Sequence, residues 1–291
     1  LVGSEMCIRD RLRHYELMVK AYRCNRLGFS KLKLHVKKPI SPLLSCTWNQ
    51  EMPFKIHTPK AKDVNMPTGC VATALSQLMY HNKWPQKRPT EFINSTGTHA
   101  QKSSIYLWNK IKDTSQQMDD AGKDAVGVLL SDVGKAVNMK YEATGSISNM
   151  QWALDALRKN FEYSVKHLNK EYMPKGKFYE LVVNELANGY PVLIGESSHS
   201  FLLDGIDKQG YIHVNWGWAG ENDGWFDLST LYTPLDDDVF GTDFFALEME
   251  AVLAHPKTGN HPQFKKVREL EAEAIDAFRF LQNEVPRNFP I

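Results

Sequence analysis

Long apolar runs, charge of one sign and ordered cysteine spacing are all scarce in this 291-residue chain, and each scarcity removes a class of explanation. No uncharged apolar run approaches the roughly 18 residues needed to cross a bilayer, so no membrane partner is expected. No N-terminal stretch reads as a signal peptide. Lys and Arg total 35 against 34 Asp and Glu, a formal charge of +1. That balance creates no field able to gather nucleic acid or an anionic surface. The 4 cysteines, Cys7, Cys24, Cys46 and Cys70, show no CxxC and no paired Cys/His clusters, which argues against a disulfide scaffold and against a structural metal site. What is there, 42% hydrophobic and 24% charged residues without repeats, suits one large globular domain or a domain with appendages.

Residues 1–11 (LVGSEMCIRDR) resemble a translated library adapter. On that reading they are an artefact, the natural N-terminus is missing, and Cys7 carries no meaning. Residues 12–40 are rich in Lys and Arg and read as the remnant of a leader or propeptide. The main domain is expected over 41–254, entered through an extended stretch punctuated by Pro39, Pro42 and Pro53. Val71, Ala74, Leu75, Leu78 and Met79 recur at offsets of three and four, which predicts a helix with one apolar face, stopped before Pro85 and capped by Thr68 and Gly69. Further helices are written by Val126 to Val137, by Met150 to Leu157 with Ser148 and Gln151 as a capping box, and by Phe178 to Leu186. The polar stretch from Pro85 to Asp120 has weak periodicity and reads as a long, partly irregular excursion. After Gly189 the texture changes to short strands at 191–194, 201–206, 211–216 and 225–228, the pattern of antiparallel hairpins. Helices first and strands afterwards predict an α+β domain with a cleft between the halves. A last helix is expected from Pro262 to Asn283, within a C-terminal extension over 255–291.

Cys70 falls in the first turn of its predicted helix, where the positive end of the dipole favours the thiolate, the nucleophilic form. An arbitrary cysteine is more often a buried small hydrophobe, so position alone leaves both readings open. His199 stands in SSHSFLLDG, a polar loop entering an apolar strand, a placement that lets an imidazole face a cleft. His213 and His81 read instead as packing or capping residues. The run VNWGWAGENDGW at 214–225 sets bulky rings against tightly turning backbone. Most of it reads as core, but a buried Asn215 amide needs partners.

These motifs carry a resemblance. MPTGCVATALSQLMYHNKWP at 66–85 is similar to the nucleophile helix of streptopain-family, papain-like cysteine peptidases, and HSFLLDG with GYIHVNWGWAGENDGWFDLSTL is similar to their histidine region. TWNQEMPF at 47–54 looks like the family's glutamine segment, and LSDVGKAVNMKY at 130–141 resembles its intervening helix. The likeness spans about 41–250. It implies a papain-like fold and hydrolysis of peptide bonds in polypeptide substrates through a thioester, with no metal or organic cofactor. It makes Cys70 the nucleophile, His199 the general base, and Gln50 a side-chain donor to the oxyanion beside the Cys70 amide. The histidine is oriented either by Asn215 directly or by Trp216 packing against it. Where family members usually carry glycines just before the histidine, this chain has Glu196, Ser197 and Ser198, expected to alter the approach of the substrate backbone at Ser197 and Ser198. Bacterial secretion and an inhibitory propeptide are further implications. The same Cys and His logic also serves a catalytically weak binding module and a thiol acyltransferase or amidase.

Overall fold

The computed structural model describes residues 38–102, 104–173, 176–196, 199–228, 232–234, 242–244 and 249–264. The segments before 38, and the helix expected after Phe264, lie outside them. Pro262 to Phe264, within the described part, are not helical.

A small hairpin, β1 (Lys60–Ala61) with β2 (Val64–Asn65), precedes the helix α1 (Cys70–Asn82). Every residue of α1 from Val71 to Tyr80 is buried, so it is a core helix covered on all sides rather than the one-faced helix its apolar spacing predicts. Its end is set by Lys83 in a left-handed conformation (φ 47°), followed by Pro85, which cannot continue a helix. The stretch expected to be irregular contains a second hairpin, β3 (Glu91–Asn94) with β4 (Gly97–Ala100). Then come α2 (Asp120–Ala136) and α3 (Met150–Lys159), each capped by the side chain before it: Asp119 accepts from the Gly122 amide and Asn149 from the Trp152 amide. Ser148 does not cap α3; its hydroxyl donates to the Val137 carbonyl, because the helix begins one residue later than the capping-box reading assumed.

The second half is a six-stranded sheet formed by β5 (Tyr163–Asn169), β6 (Val192–Gly195), β7 (Ser200–Ile206), β8 (Ile212–Asn215), β9 (Gly224–Phe226) and β12 (Glu250–Pro256), in the antiparallel order β5-β12-β6-β7-β8-β9. A separate short pair, β10 (Tyr232–Pro234) and β11 (Thr242–Phe244), precedes β12. The helix α4 (Lys177–Ala187) lies between β5 and β6 in sequence and ends at Asn188 and the left-handed Gly189. Period-two alternation assigns each strand's side chains to two cores. Leu193, Leu202, Val252 and Ala254 join the core around α1, α2 and α3, whereas Ile194, Phe201, Leu203, Ala251 and Leu253 join Phe178, Val182 and Leu186 of α4. Burial on both faces explains the near-continuous apolar runs in β6 and β7. Ile40 adds a bridge to Ile206, so the sheet takes in chain on the N-terminal side of residue 41.

The architecture is therefore α+β, helices first and antiparallel sheet second, with α1 packed between α2 and the sheet strands β6 and β7. That arrangement brings the first residue of α1 against the start of β7.

Candidate active site

Cys70 is the first residue of α1, preceded by Gly69 at φ 85°. A positive φ at 69, with ψ 143°, turns the chain sharply into the helix, and the space there is closed: a Cβ on Gly69 would lie 2.9 Å from the Ser146 carbonyl oxygen and 2.6 Å from Cε of Met139. Thr73 reinforces the start, its hydroxyl donating to the Gly69 carbonyl at 3.1 Å. The Cys70 sulfur lies beside Ser200 at the start of β7, and the polar groups of Ser200 with the amides of Val71 and Cys70 favour the thiolate. Burial nevertheless pushes the thiol up, and those groups lower it without cancelling that effect. The lowering expected from a helix start is thus outweighed by desolvation.

His199, the residue before β7, is buried, with 8% of its surface exposed. Burial lowers its pKa to about 4, against the opposing pull of the Trp216 carbonyl, which favours the protonated ring. Nε2 lies 2.9 Å from that carbonyl. A carbonyl can only accept, so Nε2 carries the hydrogen and, in the neutral ring, Nδ1 is the basic nitrogen. Three aromatic rings wall the imidazole: Trp218 at 4.7 Å between centroids, Phe201 at 6.1 Å and Trp216 at 6.2 Å.

Trp216 meets the imidazole twice, its backbone carbonyl accepting from Nε2 and its indole stacked against the ring, while the Asn215 amide makes no hydrogen bond to His199. The indole N–H donates to the Asn222 carbonyl instead. Asn215 Nδ2 donates to the Cys46 carbonyl at 2.8 Å, and Oδ1 accepts from the Gly217 amide at 3.1 Å and from Gln77 Nε2 at 3.0 Å. Gly217 sits at φ 73° with Thr73 Cγ2 only 3.2 Å from where a Cβ would be, so the Trp-Gly-Trp turn lies directly on α1.

Gln50 is half-buried, and its carbonyl accepts from the Thr68 amide at 3.2 Å, which ties its segment to the approach to α1. It lines a cleft of about 430 Å³ together with Asn49, Pro67, Gly145, Gly217 and Trp218. Since Trp218 also covers His199, the cleft runs beside the imidazole's aromatic wall. Ser197 and Ser198 lie outside the described residues. Among the described residues no three His, Cys, Asp or Glu side chains are placed to hold a metal ion.

Sequence reasoning passed over Ser200, Trp218 and Gln77. Ser200 was legible only as the neighbour of His199, and Trp218 as the second tryptophan of the turn. Gln77 carried a usable signal: it is the polar residue two helical turns beyond Cys70, on a helix otherwise written in apolar and small residues.

Comparison with known proteins agrees with this geometry. The thiol protease/hemagglutinin PrtT of Porphyromonas gingivalis is 33% identical over 199 residues, 63% of this chain but 23% of that protein. Streptopain of Streptococcus pyogenes is 29% identical over 233 residues, 70% of this chain and 58% of its own length. The chain thus spans less than two thirds of the curated relatives it matches. Among solved structures, active wild-type interpain A, a cysteine protease of Prevotella intermedia, superposes with a TM-score of 0.61 at 27% identity, covering 74% of this chain and 94% of that one. A prointerpain A fragment gives 0.66, also at 27% identity, over 81% and 79%. The family model for peptidase C10 matches residues 48–226, which include Gln50, Cys70, His199, Asn215 and Trp216 and make up well over half of the sequence: the chain belongs to the peptidase C10 family.

Proposed function

We propose that the protein is a cysteine endopeptidase that cleaves polypeptides through a thioester on Cys70. The observation that carries this reading is the placement of a helix-start thiol beside Ser200, the residue that follows His199, whose Nε2–H is pinned so that Nδ1 is left as the base. As the sulfur attacks the scissile carbonyl carbon, its proton passes to Nδ1 of His199. Charge then develops on the carbonyl oxygen, where the Cys70 amide and the Gln50 side chain are the donors. Collapse of the tetrahedral adduct breaks the C–N bond, and the imidazolium returns the proton to the leaving amine. Water, deprotonated by the same nitrogen, attacks the thioester and releases the acid and the thiol.

Starting from a neutral thiol and a neutral imidazole, the charge separation forms during attack and is stabilised at two points. The α1 N-terminal amides face the sulfur, and the Trp216 carbonyl receives the imidazolium N–H. The aromatic wall of Trp216, Trp218 and Phe201 keeps water from that hydrogen bond. We extend the proposal to the segment over 12–40 as the end of an inhibitory propeptide and to secretion from a bacterium. The propeptide is supported by the pro-form of interpain A among the similar structures, and secretion by the resemblance to streptopain. Casein digestion by wild type and Cys70→Ala side by side tests the central claim. Loss of cleavage in the variant is expected, and equal activity would end the assignment.

A further inference from the structure

Gln77 is fully buried in α1, two turns from the nucleophile, and each end of its amide is committed to a different part of the site. Nε2 donates to Asn215 Oδ1 at 3.0 Å. Oε1 accepts from the Trp48 amide at 3.3 Å and from the Cys46 thiol at 3.4 Å. These orientations are fixed by chemistry. The Trp48 amide can only donate, so it must face Gln77 oxygen; the Gly217 amide can only donate, so it must face Asn215 oxygen; the Cys46 carbonyl can only accept, so it must face Asn215 nitrogen. The result is one closed circuit joining α1, the segment that leads to Gln50, and the turn that holds His199.

The last link is a single peptide plane. Its N–H, on Gly217, is held by Asn215, and its C=O, on Trp216, points the opposite way to His199 Nε2. Holding one side of a planar trans peptide fixes the other.

We infer that Gln77 is a positioning residue of the proposed peptidase: through Asn215 and the Trp216–Gly217 peptide it sets the tautomer and angle of His199, and through Trp48 it sets the segment bearing Gln50. The inference rests on His199 acting as the base. It gives Asn215 an indirect role, and it explains a buried glutamine in a helix otherwise built for packing.

The test is Gln77→Glu, which keeps the acceptor for Trp48 but puts an oxygen against Asn215 Oδ1, with Gln77→Met as a second variant that removes both contacts at similar volume. Two readouts are taken on folded, Cys70-titrated protein. For a peptide substrate, kcat is expected to fall roughly 10- to 100-fold with KM little changed, since a misaligned group affects the reacting state more than binding. In nitrogen-15 histidine spectra, the His199 signal, identified by its loss in His199→Gln, is expected to move from the Nε2–H tautomer in wild type to a mixture in both variants. If either folded variant retains wild-type kcat and the wild-type tautomer, the inference is overturned. If the wild type cleaves no peptide, the proposed function falls while the tautomer readout still decides the role of Gln77.

Discussion

Gly69 and Gly189 both have a positive φ, 85° and 84°, but differ in what surrounds them. A Cβ at 189 meets nothing within 4 Å, whereas at 69 it lands 2.9 Å from the Ser146 carbonyl oxygen and within 2.7 Å of two Met139 atoms. An alanine at either position incurs a positive-φ cost of at least about 1–2 kcal/mol. Met139 is flexible and can swing away, but Ser146 presents backbone, so Gly69→Ala also forces the segment between α2 and α3, bridged at Lys140 and Ile147, to shift, an overpacking cost of about 1–3 kcal/mol. The two variants are therefore expected to differ in Tm by roughly 2–12 °C, with Gly69→Ala the lower. Because residue 69 turns the chain into Cys70, Gly69→Ala also displaces the sulfur from its place beside Ser200 at the start of α1. Its rate of inactivation by a peptidyl thiol reagent should fall, while Gly189→Ala reacts like wild type. Paired melting curves and inactivation rates read both effects. Equal Tm losses with equal reactivity would refute the idea that the close approach at Gly69 places the nucleophile.

Gln50→Ala is expected to lower kcat by roughly 10²–10³ through loss of one oxyanion donor, with KM little affected, as measured by steady-state hydrolysis of a peptide substrate. Asp132 is fully buried and bidentate to Arg88, at 2.6 and 2.8 Å, and also accepts from the Tyr106 hydroxyl; Asp132→Ala should cost about 3–5 kcal/mol in urea unfolding because Arg88 loses its partner, with kcat per titrated Cys70 unchanged. For His199 the folded pKa of about 4 lies below the ordinary value of 6.5, so the unfolded chain takes up the proton first. The stability contributed by the buried neutral ring is present above about pH 6.5 and is lost as pH falls through about 4, a difference of about 3 kcal/mol. Urea unfolding between pH 7.5 and 4 should show wild type losing that much more than His199→Gln, and parallel pH dependences would contradict the burial of the ring.

What could be seen in the sequence was whatever local spacing dictates. The offsets in Val71 to Met79 define a helix, and the glycine before Cys70 marks its start. The long motifs around Cys70 and His199 sufficed to expect a papain-like α+β peptidase with Gln50 as an accessory donor. Three matters were settled only by tertiary structure, each for a reason of distance or environment. The strands β5 and β12 pair Tyr163 with Pro256 across more than ninety residues, so no turn signal announces them. The upward shift of the Cys70 thiol and the downward shift of His199 follow from burial, which exists only once the two halves close over the site. The group that orients His199 is a backbone carbonyl, invisible in any side-chain motif. Its direction depends on Asn215, which is anchored by a glutamine 138 residues away along the chain.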